Sequence, residues 1–161
     1  IGEDALLALS SLTKGYSHIL LVADTNTYAA CGKETVAALS GRLAAQLIYS
    51  REGILVPDEA AIAELEAALS EETDLIVGVG SGVINDLCKH VSFKHSLPYF
   101  IVATAPSMDG YASKGAALIL DGMKVTLNAE VPKAIVADTA VPRLTYPGVL
   151  GRLMRHLFGA P

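Results

Sequence analysis

An α/β fold, with a mostly parallel, Rossmann-like sheet and flanking helices, is what this 161-residue sequence predicts. Three observations predict it. Short, almost purely apolar runs recur along the chain, as strands buried on both faces of a parallel sheet require. Between them lie segments whose apolar residues repeat at helical spacing. The strand Leu75 to Val79 also runs straight into Gly80-Ser81-Gly82, which open a helix. Repeated β–helix–β alternation implies right-handed crossovers, with ligands gathering at the carboxyl ends of the strands.

Each element follows in order. Ser17 to Ala23 (SHILLVA) is a buried strand ending at Asp24. Lys33 to Leu47 reads as a helix through Val36, Leu39, Leu43 and Leu47, and Ile48 to Val56 holds a second short strand. Pro57 and Asp58 open a helix with the stripe Ile62, Leu65 and Leu69. The glycine-loop strand comes next, then a helix running from Ser81 to His95. Pro98 to Ala103 is a further apolar strand. Gly115–Leu120 and Lys124–Leu127 flank Asp121-Gly122, a hairpin signal, and Lys133 to Ala137 is the last strand. There is no internal repeat and no low-complexity linker.

Composition narrows the function classes. Hydrophobic residues make up 52% and charged residues 18%, which excludes disorder. A net charge of −5 with scattered Lys and Arg argues against nucleic-acid binding, apart from a small group at Arg143, Arg152 and Arg155. No apolar run approaches the roughly 20 residues of a membrane span. No signal peptide is evident, and Ile1 is not a natural start, so residues upstream are expected. Cys31 and Cys88 form no C-x-x-C and read as reduced, structural thiols of a cytoplasmic protein.

The glycine turn carries the first chemistry. Unpaired backbone N–H groups and the positive end of a helix dipole meet there, an arrangement that holds phosphate. A side chain at Gly80 or Gly82 would keep such a phosphate away. The usual dinucleotide fingerprint is not met, because Val83 stands where its third glycine would be, and no G-x-x-x-x-G-K-[ST] run occurs. The acid expected about 20 residues on is missing from the strand at Pro98 to Thr104. Both a nucleotide loop and a plain strand-to-helix turn remain open.

Strand ends place Asp24, Gly80–Gly82, Thr104–Asp109 and Asp138-Thr139 along one rim. Asp24 can accept from both hydroxyls of an adenosine ribose, or cap the next helix. Ser81 can donate to a pyrophosphate oxygen or cap its helix. Asp86, negative itself, suits a ribose or a nicotinamide amide better than a phosphate. The segment from Thr104 to Ser113 gathers hydroxyls, a carboxylate and a phenol after a buried strand. Asp109 is its best candidate for holding a polyol hydroxyl, against the alternative of a solvated turn. The four histidines do not converge, and no H-E-x-x-H is present, so no metal ligand is assigned. A hydrolase elbow is disfavoured by Val79, two positions before Ser81.

Val77-Gly78-Val79-Gly80-Ser81-Gly82-Val83-Ile84-Asn85-Asp86, followed by Ala103-Thr104-Ala105-Pro106-Ser107-Met108-Asp109-Gly110-Tyr111-Ala112-Ser113, resembles the sn-glycerol-1-phosphate dehydrogenase family. That family lies in the superfamily of iron-type alcohol dehydrogenases, glycerol dehydrogenase and dehydroquinate synthase. The resemblance covers residues 1 to 141 and implies an N-terminal NAD(P)-binding α/β domain of a dehydroquinate synthase-like fold. It implies that Gly82, Val83, Ile84, Asn85, Asp86, Thr104, Ser107 and Ser113 contact NAD or NADP and that Asp109 holds the substrate. Asp24, Gly80, Ser81, Ala105 and Pro106 complete the candidate cofactor set.

Members of the superfamily take zinc, as a rule, from an aspartate and two histidines of a following helical domain, which is missing from this chain. No catalytic side chain and no metal ligand are therefore assigned here. The tail 142–161 does not match the family pattern, although His156 stands near where the metal-binding aspartate would fall. The implied reaction is NAD(P)-dependent interconversion of glycerone phosphate and sn-glycerol 1-phosphate, in phospholipid biosynthesis, with zinc as Lewis acid. The partners implied are a small phosphorylated polyol and, for the protein itself, a homo-oligomer. A glycerol dehydrogenase or related metal-dependent alcohol dehydrogenase is the alternative. A nucleotide-binding module without turnover is the alternative of another class.

Overall fold

Residues 1–106, 108 and 110–141 are described by the structure, a computed structural model. Ser107, Asp109 and the tail 142–161 lie outside the described residues.

A 3-10 turn at Ala5–Leu7 and a short helix α1 (Ala8–Leu12) precede the first strand, too brief to display a period in the sequence. β1 (Ile19–Asp24) then leads into α2 (Thr25–Ala38), β2 (Leu43–Tyr49) and α3 (Glu59–Ala67). β3 (Leu75–Gly80), α4 (Gly82–Lys94) and β4 (Tyr99–Ala103) follow. A second 3-10 turn at Gly110–Ala112 precedes the hairpin β5 (Gly115–Leu120) and β6 (Met123–Asn128), and β7 (Ala134–Val136) closes the series.

The expected helix at Lys33–Leu47 is wrong over its second half and starts too late. Asp24 caps α2 eight residues earlier: its Oδ1 accepts from the amides of Asn26 and Thr27, both at 2.8 Å, while Thr27 Oγ1 accepts from the Asp24 amide at 3.0 Å. This reciprocal cap sets the start of the helix. Its end comes at Ser40 and Gly41, whose φ values of 51° and 79° take the chain out of the helix. Leu43 and Leu47 belong instead to the edge strand β2. The β1–β2 register shifts between Ile19 and Leu20, so the two leucines pack on opposite faces of the sheet.

Among the described residues five strands pair in parallel in the order β2-β1-β3-β4-β7. Stepping from β1 out to β2 and back across to β3 reverses the direction of progression. Right-handed crossovers then put α2 on one face and α3 and α4 on the other. The core divides accordingly. Ile19, Leu21 and Ala23 of β1 pack with Cys31 and Leu39 of the α2 side, and Leu20 and Val22 pack with Leu65, Leu87 and Val91 of α3 and α4. Cys31 and Cys88 are buried in opposite layers, unpaired. Burial pushes the Cys31 thiol up to about 11 and the Cys88 thiol further.

The hairpin lies against α4, with Ala116 and Leu118 in the same layer, and Ile119 N donates to Pro57 O at 2.9 Å. Its turn is Asp121-Gly122, both at positive φ (51° and 73°), the conformation that joins two strands tightly. No described helix is long and apolar enough to cross a membrane.

Candidate functional site

The direction of the sheet reverses between β1 and β3, and their ends lie side by side because Ala23 pairs with Val79. Open α/β sheets bind ligands at such a switch point. Three helices begin near this rim, and they begin differently. Asp24 caps α2, and Asp58 Oδ1 accepts from Ala61 N at 2.9 Å to cap α3. Among the described residues α4 has no side-chain cap: Ser81 contributes only its carbonyl, accepting from Asn85 N at 2.8 Å. The amides of Gly82, Val83 and Ile84 are the ones an α-helix leaves without an intrahelical partner. Their dipole end is therefore presented to whatever occupies the rim.

A cavity of about 230 Å³ opens beside this turn, lined by Asp24, Asn26, Tyr49, Arg51, Ser81 and Val83 among others. A larger hollow of about 460 Å³ is lined by Ser96, Pro98, Glu130 and Lys133, where β4 begins. That hollow lies at the amino ends of the strands, away from the glycine turn, so the smaller cavity is the candidate site.

The two glycines of the turn differ. A Cβ on Gly80 would lie 2.6 Å from Cβ of Ile84 and 2.7 Å from its Cγ1. Glycine there lets the first turn of α4 close on β3. Among the described residues a Cβ on Gly82 would meet Met108 Sδ alone, at 3.3 Å. That contact puts Met108 of the Thr104–Ser113 loop across from the front of the helix. Nucleotide phosphates fit this arrangement, since backbone donors, a helix dipole and a hydroxyl at Ser81 face an accessible cavity.

The remaining candidates fall in distinct places. Asp24 lines the cavity while its Oδ1 caps α2, so the capping alternative is realised, and Oδ2 has no partner among the described residues. Val83 and Ile84 line the cavity, Ile84 from a buried position. Asn85 is fully buried, with its Oδ1 3.4 Å from the Tyr99 hydroxyl and its Nδ2 without a partner among the described residues. Asp86 is mostly buried and sits 3.8 Å from Lys89 Nζ. Burial raises its pKa above the usual carboxylate value, although Lys89 and the Ala117 backbone oppose the shift.

Thr104 is buried, and its amide donates to Gly80 O at 3.1 Å. Ala105 is half-buried, and Pro106 is exposed. Ser107 and Asp109 lie outside the described residues. Asp138 is buried and accepts from Leu6 N at 3.3 Å and Ala140 N at 2.9 Å, which ties down the N-terminal segment.

Two residues with no role assigned from the sequence hold the second loop in place. Lys89 has a fully buried side chain and donates to Gly110 O at 2.9 Å, Ser113 Oγ at 3.1 Å and Gly115 O at 3.1 Å. Its three N–H bonds are thereby all used. Burial lowers its pKa, against the pull of Asp86. Ser113 is consequently engaged by Lys89, and its hydroxyl also lies 3.0 Å from Gly110 O. The Tyr111 hydroxyl is 3.0 Å from Ala105 O and 3.3 Å from Gly80 O, joining the ends of β3 and β4. The one available signal was the Asp86–Lys89 spacing of three on a helix. No group of three or more His, Cys, Asp and Glu suited to a metal occurs among the described residues.

The chain is 38% identical over 138 residues to the glycerol-1-phosphate dehydrogenase [NAD(P)+] of Halalkalibacterium halodurans, an alignment covering 81% of this chain and 35% of that protein. The Bacillus subtilis protein of the same name is 36% identical, covering 92% of this chain and 43% of its own length. The chain thus spans well under half the length of these curated relatives. Two solved structures show the same fold: glycerol dehydrogenase from Schizosaccharomyces pombe (TM-score 0.74, 23% identity, 88% of this chain and 37% of that one) and an iron-containing alcohol dehydrogenase from Thermococcus thioreducens (0.75, 18%, 89% and 46%). The sequence profile of the iron-containing alcohol dehydrogenases matches residues 1–144. A profile that runs through the glycine turn and the loop facing it, over nearly the whole chain, makes the assignment: this chain belongs to the iron-containing alcohol dehydrogenase family.

Proposed function

We propose that this chain is the cofactor-binding part of an NAD(P)-dependent glycerol-1-phosphate dehydrogenase, the activity for which its relatives are named. The reaction moves a hydride from the nicotinamide to the carbonyl carbon of glycerone phosphate, and a proton to its oxygen, giving sn-glycerol 1-phosphate. When bound, the nicotinamide would supply the hydride, and a zinc ion in the complete enzyme would supply Lewis acidity at the oxygen. The chain's own residues bind and orient. The amides of Gly82 to Ile84 and the Ser81 hydroxyl hold the pyrophosphate. The cavity beside Asp24 takes the adenosine end, and the Thr104–Ser113 loop takes the nicotinamide end, with Asp109 positioning the polyol. A cytoplasmic, homo-oligomeric enzyme is the accompanying reading.

The uncapped, glycine-led start of α4 carries this reading, because the two neighbouring helices are capped by aspartates and this one is not. Ser81→Asp tests it by placing a carboxylate where the phosphate would sit. Capping should stabilise the fold by about 0.5–2 kcal/mol, seen in urea unfolding. Calorimetric titration with NAD+ and NADP+ should at the same time show binding lost. Nucleotide affinity unchanged in the Asp variant would remove α4 from the site.

A further inference from the structure

Among the described residues Lys89, on α4, is the one cation with a fully buried side chain. Asp86 Oδ1 lies 3.8 Å from its Nζ, beyond hydrogen-bonding distance. The three N–H donors go instead to Gly110 O, Ser113 Oγ and Gly115 O, at 2.9, 3.1 and 3.1 Å. All three acceptors belong to one short segment that leaves the second loop for the hairpin.

Taking an ammonium out of water is costly, and an apolar side chain of the same length would fill the space at less cost. The segment it serves is not deeply buried, since Ala112, Ser113 and Lys114 are exposed and Gly110 and Gly115 half-buried. Water can therefore satisfy these carbonyls without Lys89, and what the ammonium adds is one fixed geometry. That geometry reaches the rim. Tyr111, inside the held turn, places its hydroxyl 3.0 Å from Ala105 O and 3.3 Å from Gly80 O. Gly80 ends β3 and Ala105 lies just beyond β4, so the turn braces the two strand ends beside the start of α4.

We propose that Lys89 is a positioning residue whose buried ammonium locks the Gly110–Gly115 segment against α4, so that the rim is already shaped for the nicotinamide end of the cofactor. This rests on the nucleotide reading of the same site. Lys89 itself touches no ligand and acts through the loop.

Calorimetric titration of the 161-residue chain compares each reduced cofactor with the fragment that lacks its nicotinamide: NADH with ADP-ribose, and NADPH with 2′-phospho-ADP-ribose. The native chain should bind at least one whole cofactor about tenfold more tightly than its fragment, the scale of one or two added hydrogen bonds. Lys89→Met should remove that advantage and leave the fragment's affinity within about twofold. A loop in its competent form only one-tenth of the time weakens its ligand about tenfold. Lys89→Arg should recover part of the advantage, and thermal melts check that both variants fold. Hydrogen exchange adds a measurement that needs no variant. The Ser113 amide, which donates to Gly110 O at 3.2 Å, should exchange slowly in the unliganded native chain. Rapid exchange there, no advantage of cofactor over fragment in the native chain, an advantage unchanged in Lys89→Met, or equal weakening of cofactor and fragment would each overturn the role of Lys89 alone. Binding of no cofactor and no fragment by the native chain would overturn the nucleotide reading together with it.

Discussion

Gly80 and Gly82 stand two residues apart in one loop and answer to different constraints. Gly80 is dictated by Ile84, whose side chain occupies the space a Cβ would need, and Gly82 faces the flexible end of Met108 in the second loop. Gly80→Ala should therefore cost about 1–3 kcal/mol of stability through overpacking, read as a lower urea midpoint. Relief of that loss by adding Ile84→Ala would confirm the clash, and a Gly80→Ala protein as stable as the native one would refute it. The sequence marks both glycines alike, because the difference depends on where Ile84 points across the turn. Asp24 shows the same limit. Its sequence position allowed a cap or a ribose contact, and Thr27, three residues on, completes a reciprocal cap that uses Oδ1 while the residue still lines the cavity. Lys89 carries no role in the sequence beyond a spacing of three from Asp86. Its bonds to Gly110, Ser113 and Gly115 come from a segment more than 20 residues downstream.

The elements built from unmixed local signals were readable. β3 and β4 follow continuous apolar runs, α3 begins behind Asp58, and the hairpin turns at Asp121-Gly122. The error at Lys33–Leu47 arose where a four-residue spacing of leucines spans a helix end and an edge strand, and where Ser40-Gly41 deserved more weight than the period. Between elements, the last turn of α4 is tied to α3 by Glu66, which accepts from Lys94 Nζ at 2.7 Å and lies 3.1 Å from His95 Nε2. The Lys94 bond, more than the His95 contact, holds Glu66 below the usual glutamate range. A carboxylate with a depressed folded-state pKa stabilises the protein above its unfolded pKa, about 4.3, and loses that contribution as the pH falls through the folded value. Glu66→Gln should thus cost about 0.2–1 kcal/mol near neutral pH, the scale of a surface pair. The deficit should vanish in acid, where both forms are uncharged. Urea unfolding at the two pH values measures this, and a deficit independent of pH would assign the loss to packing instead.

At the scale of the molecule, the order β2-β1-β3-β4-β7 brings Asp24, the start of α4 and Arg51 around one cavity, with the Thr104–Ser113 loop facing the start of α4 from the end of β4. The relatives extend well beyond the region matched here, which is 35% of the Halalkalibacterium protein. We expect the 161-residue chain to bind NAD(P)H without turning over glycerone phosphate, even with zinc added, followed by the absorbance of the reduced nicotinamide. Turnover at the rate of a full-length relative would show that the chain holds a complete catalytic centre. The sequence by itself determined the α/β alternation, the polar ends of its strands and the glycine turn, since each is a property of residues close together in the chain. Only the tertiary structure decided which strand ends are neighbours, which helix starts uncapped, that Arg51 lines the cavity, and that Lys89 ties down the second loop. Those outcomes depend on how distant segments bury their apolar faces together, and no local pattern encodes that.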